Sequence, residues 1–256
     1  MNTQKTTAAP FEAVPFLAPC LAGFTGRAGG VSDGPYGTLN LGFNTEDSME
    51  RVRENRRILE QAAGRRIVYM RQIHGDKVLE AGGSTPDGME CDALVTSDPG
   101  IAVAVLTADC LPLLLSCDGG HVCAAVHCGW RGAVAGIAGK TVARMRSIAG
   151  SSAVFKAFIG PCIRQQSFEV GPEVLEAART GLGRSQEVDE CFAKGRGDRL
   201  MCSLPGLVRL GLSQAGIDAG SISDCLIDTF SEEGSRYSWR RNRDTGREAC
   251  FIGPAA

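Results

Sequence analysis

The sequence predicts an α+β fold in a single domain. Of its 256 residues, 43% are hydrophobic, as expected for a globular protein with a substantial core, and no linker clearly divides the chain. Short apolar segments typical of strands cluster before helical segments as often as they alternate with them. Because strict alternation is typical of a doubly wound parallel sheet, this order favours an α+β arrangement.

The N-terminal part of the chain combines irregular sequence with one clear helix. Residues 1–20 are rich in Ala, Thr and Pro without a hydrophobic period, and we interpret them as a loose tail before a domain covering residues 21–256. Glycine and proline are concentrated at 25–37, which predicts a long loop. Residues 49–63 carry apolar side chains at helical period, with Asp47 as the predicted N-cap.

The remaining elements follow from the same reading of hydrophobic period. Five short apolar segments in the centre of the chain predict strands at 67–72, 93–96, 101–107, 111–117 and 122–127. The Asp118-Gly119-Gly120 segment predicts a hairpin turn between the last two. The C-terminal half predicts helices at 133–148, at 172–180 and, capped by Ser203, up to about 215, with strands at 153–159, 222–227 and 249–252.

Charge and cysteine usage exclude several classes of protein. The 27 basic and 29 acidic residues give a net charge of −2, so we expect no nucleic-acid partner. No apolar run approaches the ~20 residues that span a bilayer, so we expect no membrane partner either. The eleven cysteines include no C-x-x-C pair, and the chain begins without a secretory pattern. These features predict reduced thiols and a cytoplasmic location.

The predicted helix at 49–63 has two polar residues on its apolar side, Asn55 and Arg56. Side chains in that position need partners, because an unpaired buried polar group is costly. For Arg56 two interpretations stay open: a buried guanidinium bonded to backbone carbonyls, or a guanidinium that reaches into a site.

Two of the three histidines lie where strands are predicted to give way to loops, beside glycines. His74 precedes Gly75, and His127 precedes Cys128 and Gly129. Together with Cys110 they provide the nitrogen and thiolate ligands of zinc, and three protein ligands with an open position are typical of a catalytic ion. Their separations in sequence match no local motif, so the fold must bring them together.

The same atoms support a second interpretation. Cys110 with His127 is also the pair of a thiol nucleophile and its base. The sequence does not separate the two, although a metal consumes the thiolate that a hydrolase needs. The third histidine, His121, lies near the hairpin turn and is predicted to be exposed.

The segment Gly129-Trp130-Arg131-Gly132 leads directly into the helix predicted from Ala133. Free backbone N–H groups and the Arg131 guanidinium would hold a phosphate or carboxylate there. The alternative is a simple strand-to-helix turn with Arg131 on a carbonyl. Taken alone, the basic segment 238–243 indicates an exposed loop. The sequence contains no P-loop, dinucleotide fingerprint or nucleoside-deaminase signature.

Several segments, in this order, resemble the signature blocks of the polyphenol-oxidase or laccase-domain family, whose members are also called purine nucleoside phosphorylases or peptidoglycan editing factors. They are TGRAGGVS at 25–32, LNLG at 39–42, ENRR at 54–57, QIHG at 72–75, TADCLP at 107–112, HCGWRG at 127–132, IGPCI at 159–163 and YSWRR at 237–241. The resemblance extends over nearly the whole chain, from about residue 23 to 252.

The resemblance implies a single α+β domain with two packed, mixed β-sheets flanked by helices, in α/β/β/α layers. It also implies zinc-dependent phosphorolysis of adenosine, inosine and methylthioadenosine, and deamination of adenosine. The family's zinc ligands correspond to His74, Cys110 and His127, and its active-site arginine to Arg56. Arg131 and Arg27 are further candidates for binding phosphate or ribose oxygens. The expected partners are therefore a purine nucleoside and phosphate, while the oligomeric state is not predicted.

Two other activities remain as alternatives. One is a thiol hydrolase or amidase that edits peptidoglycan precursors, with Cys110 as nucleophile. The other is copper-dependent phenol oxidation, which we place second because three histidines are too few for several copper centres. Two departures from the family pattern, Cys128 beside a metal ligand and Trp239 before Arg240, bear on redox sensitivity and substrate preference. Asp109 is expected to point away from the metal.

Overall fold

Two β-sheets packed face to face form the centre of the computed structural model, which describes residues 9–255. The strands are β1 (Glu12–Ala13), β2 (Leu21–Phe24), β3 (Arg66–Tyr69), β4 (Val78–Glu80), β5 (Ala93–Thr96), β6 (Ile101–Thr107), β7 (Leu111–Cys117), β8 (Val122–Cys128), β9 (Phe155–Ile159), β10 (Glu169–Val170), β11 (Phe192–Lys194), β12 (Leu200–Cys202), β13 (Ile222–Asp224) and β14 (Glu248–Gly253). The helices are α1 (Met49–Ala63), α2 (Trp130–Val134), α3 (Ile137–Ala149), α4 (Pro172–Leu182), α5 (Ser185–Asp189) and α6 (Leu204–Gln214).

Both large sheets are mixed. The first has the strand order β1-β2-β14-β6-β3, in which β3 runs parallel to β6 and the other pairs are antiparallel. The second has the order β13-β9-β7-β8-β5-β4, with parallel pairs only at its two edges. A small third sheet, β10-β12-β11, was not predicted, because its strands of two or three residues are too short to show a period.

Three apolar clusters separate the layers. One packs Leu59 of α1 onto the outer face of the first sheet, where it meets Ile67 and Phe251. A second lies between the sheets, and a third fills the space between the second sheet and the helices that follow β8. Alternate residues of each strand enter different clusters, because successive side chains point to opposite faces. The predicted α/β/β/α arrangement in one domain is confirmed.

Most predicted elements are present with small changes at their ends. The strands at 93–96, 101–107 and 111–117 have the predicted bounds, and Ser203 caps α6 by accepting a hydrogen bond from the Gly206 N–H at 3.1 Å. The helix predicted at 133–148 is instead two helices, α2 and α3, with Ala135 and Gly136 between them. The first begins already at Trp130.

The N-terminal predictions need two corrections. Residues 1–8 of the predicted tail lie outside the described residues, but β1 pairs with β2 and Leu17 is completely buried, so this part of the segment packs onto the domain. Asp47 does not cap α1, whose N-cap is Ser48. Its carboxylate instead accepts hydrogen bonds from Ser32 Oγ at 2.6 Å and from Asn40 Nδ2 at 3.0 Å.

Between residues 9 and 255, no helix combines the length and apolar character needed to cross a membrane.

Candidate functional site

The hairpin of β7 and β8 brings Cys110 and His127 to the same end of the second sheet. Cys110 directly precedes β7, and His127 is the last residue but one of β8, opposite Pro112. In an antiparallel pair the start of one strand faces the end of the other, so these two side chains meet although they are distant in sequence.

His74 reaches the same place from a loop after β3. Its backbone has a positive φ of 57°, an uncommon conformation for a non-glycine residue. Asp92, just before β5, stabilises this turn by accepting hydrogen bonds from three consecutive backbone N–H groups: Ile73 at 3.3 Å, His74 at 3.0 Å and Gly75 at 2.7 Å.

The three candidate ligands converge. The nitrogen and sulfur atoms offered by His74, Cys110 and His127 all lie within 4.8 Å of one another. The two imidazole rings lie 4.8 Å apart in an edge-to-face arrangement. His74 is exposed, Cys110 half-buried and His127 buried, so the cluster opens toward solvent on one side.

The surroundings favour a cation. Burial and the neighbouring His127 lower the pKa of His74, which keeps it as the neutral imidazole that metals bind. Burial alone would lower the pKa of His127 as well, but the Cys110 sulfur and the Asp92 carboxylate outweigh it and raise that pKa to about 9. Cys110 and Asp92 therefore favour a proton on His127, which a metal ion binding its Nε2 would displace.

Asp92 also orients His127. Its Oδ1 lies 2.8 Å from His127 Nδ1, and its carboxylate is completely buried. A carboxylate on Nδ1 fixes the tautomer and directs Nε2 toward the other ligands, as is usual for metal-binding histidines. Asp92 was missed by the sequence analysis; its place one residue before a buried strand, opposite His127 on the neighbouring strand, was the available signal.

Gly129 leaves the space that an ion needs. A Cβ at this residue would lie 3.1 Å from His74 Nδ1, 3.4 Å from Cys110 Sγ and 3.5 Å from His127 Cε1. A side chain here would therefore crowd His74 and lie in van der Waals contact with the other two ligands, in the space between them. The donor set and this cradle both fit a metal ion bound by two imidazoles and one thiolate.

The ligand cluster lies in the wall of a large cavity of about 1080 Å³. That volume exceeds what most drug-sized ligands require. Its lining includes six arginines (Arg56, Arg71, Arg131, Arg199, Arg240 and Arg247), five aromatic residues (Phe43, Tyr69, Trp130, Phe168 and Trp239) and four acidic residues (Asp87, Asp109, Glu169 and Glu173). Such a lining suits a ligand that has both a flat apolar part and an anionic part.

Arg56 has a backbone partner and also lies in the cavity lining. Its Nε donates to the Leu41 carbonyl at 2.9 Å, and its guanidinium lies 3.9 Å from the centroid of the Tyr69 ring and 4.3 Å from that of Phe43. It also lines the cavity, with Asp87 as a distant ion-pair partner at 3.6 Å. The Arg56 guanidinium is thus held at the cavity wall through its Nε, and its other N–H groups remain available to a ligand.

Two more arginines lie near the ligands. Arg131 lies in α2, not in a turn before it, and is exposed over the Trp130 ring at 4.5 Å. Arg247 was not predicted. Its Nη1 donates to the carbonyls of Thr245 and Gly246, both at 2.9 Å, and burial lowers its pKa despite the opposing effect of Cys110.

Other candidate residues lie elsewhere. Arg27 does not line the cavity; it donates to the carbonyls of Gly37 and Glu233 at 3.2 and 3.1 Å, so the structure does not bring it to the site. His121 is exposed, as predicted. Cys128 points into the core beneath the helices, on the opposite face of β8 from His127.

Asp109, next to Cys110, is turned away from the ligands. Its two oxygens accept hydrogen bonds from Thr229 Oγ1 at 2.7 Å and from the Arg240 N–H at 2.6 Å. It therefore joins the segment that contains Trp239 to the rim of the cavity.

Residues 21–255 match the protein family described as multi-copper polyphenol oxidoreductase laccase. The chain belongs to this family. The resemblance recognised from the signature segments is thereby confirmed.

Curated relatives of this laccase-domain chain match over most of their length. It is 37% identical over 229 residues to "Purine nucleoside phosphorylase YfiH" of Escherichia coli (strain K12), covering 88% of this chain and 90% of that protein. It is 38% identical over 244 residues to the "Purine nucleoside phosphorylase" of Deinococcus radiodurans, covering 92% of this chain and 91% of that protein.

Solved structures of similar proteins share the fold. The YfiH protein of Bacillus licheniformis superposes with a TM-score of 0.90 at 27% identity, covering 96% of this chain and 97% of that one. The Neisseria meningitidis protein NMB0706 superposes with a TM-score of 0.84 at 34% identity, covering 96% of this chain and 100% of that one.

Proposed function

We propose that this protein is a zinc-dependent purine nucleoside phosphorylase that acts on adenosine, inosine and methylthioadenosine. The observation that carries the proposal is the convergence of His74, Cys110 and His127 in the wall of a cavity that is also lined by arginines and aromatic rings. The names of the E. coli and D. radiodurans relatives support it.

Zinc fits the donor set better than the several coppers of a multicopper oxidase. Two imidazoles and a thiolate leave one position of a tetrahedral ion open, which is typical of catalytic zinc. Several copper centres need many imidazoles, and the chain has three histidines, of which His121 is exposed outside the cavity lining. When bound, zinc supplies Lewis acidity toward a substrate oxygen.

The arginines provide the phosphate site. The Arg56 guanidinium donates one hydrogen bond to the Leu41 carbonyl and has further N–H groups for phosphate. Arg131 and Arg247 line the same cavity. Arginine is suited to phosphate because its N–H groups are planar and permanently charged. The aromatic residues Phe43, Phe168 and Trp239 offer flat surfaces to the purine.

In this arrangement the reaction is a displacement at the anomeric carbon of the ribose. The bond from that carbon to the purine nitrogen breaks as an oxygen of hydrogen phosphate forms a new bond to the carbon. The purine nitrogen takes up the proton that hydrogen phosphate loses, so the products are the neutral base and ribose 1-phosphate. Positive charge grows on the sugar during this step, and the phosphate held by the arginines both stabilises that charge and attacks.

The test is to incubate zinc-loaded protein with adenosine, with and without phosphate, and to separate the products. We expect adenine and ribose 1-phosphate only when phosphate is present. Inosine formed without phosphate would support the adenosine deaminase activity that the family resemblance implies. Absence of turnover in a fully zinc-loaded sample would refute the nucleoside proposal.

One geometric observation favours a second candidate. Cys110, His127 and Asp92 lie in the order of a thiol, base and orienting carboxylate, the arrangement of a cysteine hydrolase. Such an enzyme would act on amides of peptidoglycan precursors. A cysteine hydrolase requires a free thiolate. Amide hydrolysis that survives or increases after a chelator removes zinc would therefore favour the hydrolase over the phosphorylase.

A further inference from the structure

Two free cysteines lie side by side far from the candidate metal centre. Cys20, just before β2, and Cys123, on β8, are separated by 103 residues in sequence, yet their sulfur atoms are 3.5 Å apart. Cys123 lies four residues before His127 on the same strand, a distance of about 13 Å along β8. The pair is therefore distinct from the ligand cluster.

The local backbone is shaped around these sulfurs. The Gly120 carbonyl oxygen lies 3.8 Å from Cys20 Sγ and 3.6 Å from Cys123 Sγ. A Cβ on Gly120 would lie 2.9 Å from Cys20 Sγ, so glycine at this turn is required for the close approach. The two sulfurs thus lie beside the same carbonyl and face each other.

The two thiols differ in access. Cys20 is half-buried, whereas Cys123 is completely buried. A small oxidant from solvent therefore reaches Cys20 first, and Cys123 is positioned to react only with the product formed at Cys20.

The two thiols also differ in acidity. The hydrogen bond from Cys123 lowers the pKa of Cys20 to about 7 against the opposing effect of burial, with help from Ser116 and Lys156. The same contact and burial raise the pKa of Cys123. Near neutral pH, Cys20 is therefore the thiolate of the pair and the better nucleophile.

We propose that Cys20 and Cys123 are a redox-sensitive pair that forms a disulfide on exposure to a hydroperoxide. The Cys20 thiolate attacks one peroxide oxygen, breaks the O–O bond and becomes a sulfenic acid, with release of hydroxide or alcohol. The Cys123 sulfur then attacks the Cys20 sulfur, an S–S bond forms, and the sulfenic oxygen leaves as water. The two thiols lose two electrons and two protons in total, and the peroxide is reduced.

The disulfide would fasten the segment before β2, which belongs to the first sheet, to β8 of the second sheet. Since the two sheets pack face to face through one apolar cluster, this covalent bond would link both walls of that layer. A thiol reductant would reverse it.

The experiment treats the full-length, metal-loaded protein with a small excess of hydrogen peroxide, blocks remaining thiols with an alkylating reagent, and maps the non-reduced peptides by mass spectrometry. We expect a peptide pair joined through Cys20 and Cys123 that disappears after reduction. Cys225→Ser is the matched control: Cys225 is also half-buried, but burial raises its pKa, so this variant should give the same cross-link.

Two further variants make the order of events testable. In Cys123→Ser, Cys20 should progress to sulfinic acid, because no neighbouring thiol can resolve the sulfenic acid. In Cys20→Ser, Cys123 should remain reduced. The proposal is overturned if wild-type Cys20 ends as a sulfinic acid or pairs with another cysteine, or if Cys123 is oxidised as readily in Cys20→Ser as in the wild type.

Discussion

The two ends of the β7–β8 hairpin place sulfur in different chemical settings. At the open end, Cys110 meets two imidazoles, one of which is supported by the buried Asp92 carboxylate. At the turn end, Cys123 meets a second sulfur, that of Cys20. The strands determine where each sulfur lies, but residues from other parts of the chain decide whether it suits metal binding or oxidation.

The largest expected effect comes from removing the sulfur at the open end. Cys110→Ala leaves two imidazoles, which are too few for a stable three-ligand site, so bound zinc should fall from about one per chain to near zero and phosphorolysis with it. Elemental analysis of protein purified without chelator measures the metal. Stoichiometric zinc in an inactive variant would instead identify Cys110 as a nucleophile.

The next effect tests the buried Asp92 carboxylate that supports His127 at the open end. In Asp92→Asn the amide presents one oxygen and one NH₂ group. The wild-type Oδ1 faces His74 N–H and His127 Nδ1, and Oδ2 faces the N–H groups of Ile73 and Gly75. In either orientation of the amide, its NH₂ group replaces an oxygen that accepts hydrogen bonds in the wild type, so those hydrogen bonds are lost. We therefore expect zinc affinity to fall roughly 10- to 100-fold. Competition with a chromophoric chelator measures it, and unchanged affinity would contradict this role.

A smaller effect is expected at Arg56, which lines the same cavity as the three candidate ligands. Arg56→Met keeps a long unbranched side chain beside Tyr69 and Phe43 but removes the guanidinium and its charge. The KM for phosphate should therefore rise about 10-fold or more, as for a lost hydrogen bond to a charged group. Arg57→Met is the matched control, because Arg57 is exposed and paired with Glu54 on the same helix. An equal effect of both variants would argue against a phosphate site at Arg56.

The smallest effect is expected at Cys128, whose side chain lies on the opposite face of β8 from that of His127. Cys128 is adjacent to His127 but buried in the opposite cluster, and burial raises its pKa. Cys128→Ala should therefore leave zinc content and activity unchanged and lower the free energy of unfolding by about 1 kcal/mol, which urea denaturation measures. Loss of zinc here would show that the thiol beside the site takes part in it.

Local sequence was sufficient for elements whose signal is itself local. The helix at 49–63 and the three central strands were predicted with their observed bounds, because their apolar periods span enough residues to be distinctive. The break between α2 and α3 was not predicted, since the apolar pattern continues across it.

The site was predictable only in part. The positions of His74, Cys110 and His127 at strand edges, together with the signature segments, identified the candidate ligands. Asp92 and Arg247 were not identified: Asp92 acts through His127, 35 residues away in sequence, and Arg247 reaches the cavity only in the folded chain. Arg27 was proposed from its signature segment, but carbonyls of the loop and of Glu233 occupy its guanidinium.

The sequence by itself determined the fold class, most secondary structure and the identity of the three candidate ligands, because these depend on local period, composition and recognisable segments. Only the tertiary structure decided which donors meet and what surrounds them: the Asp92 carboxylate behind His127, the arginines of the cavity, and the contact of Cys20 with Cys123. The physical reason is that metal affinity, pKa and thiol reactivity depend on distances of a few ångströms between groups from separate segments, which strand pairing and sheet packing set.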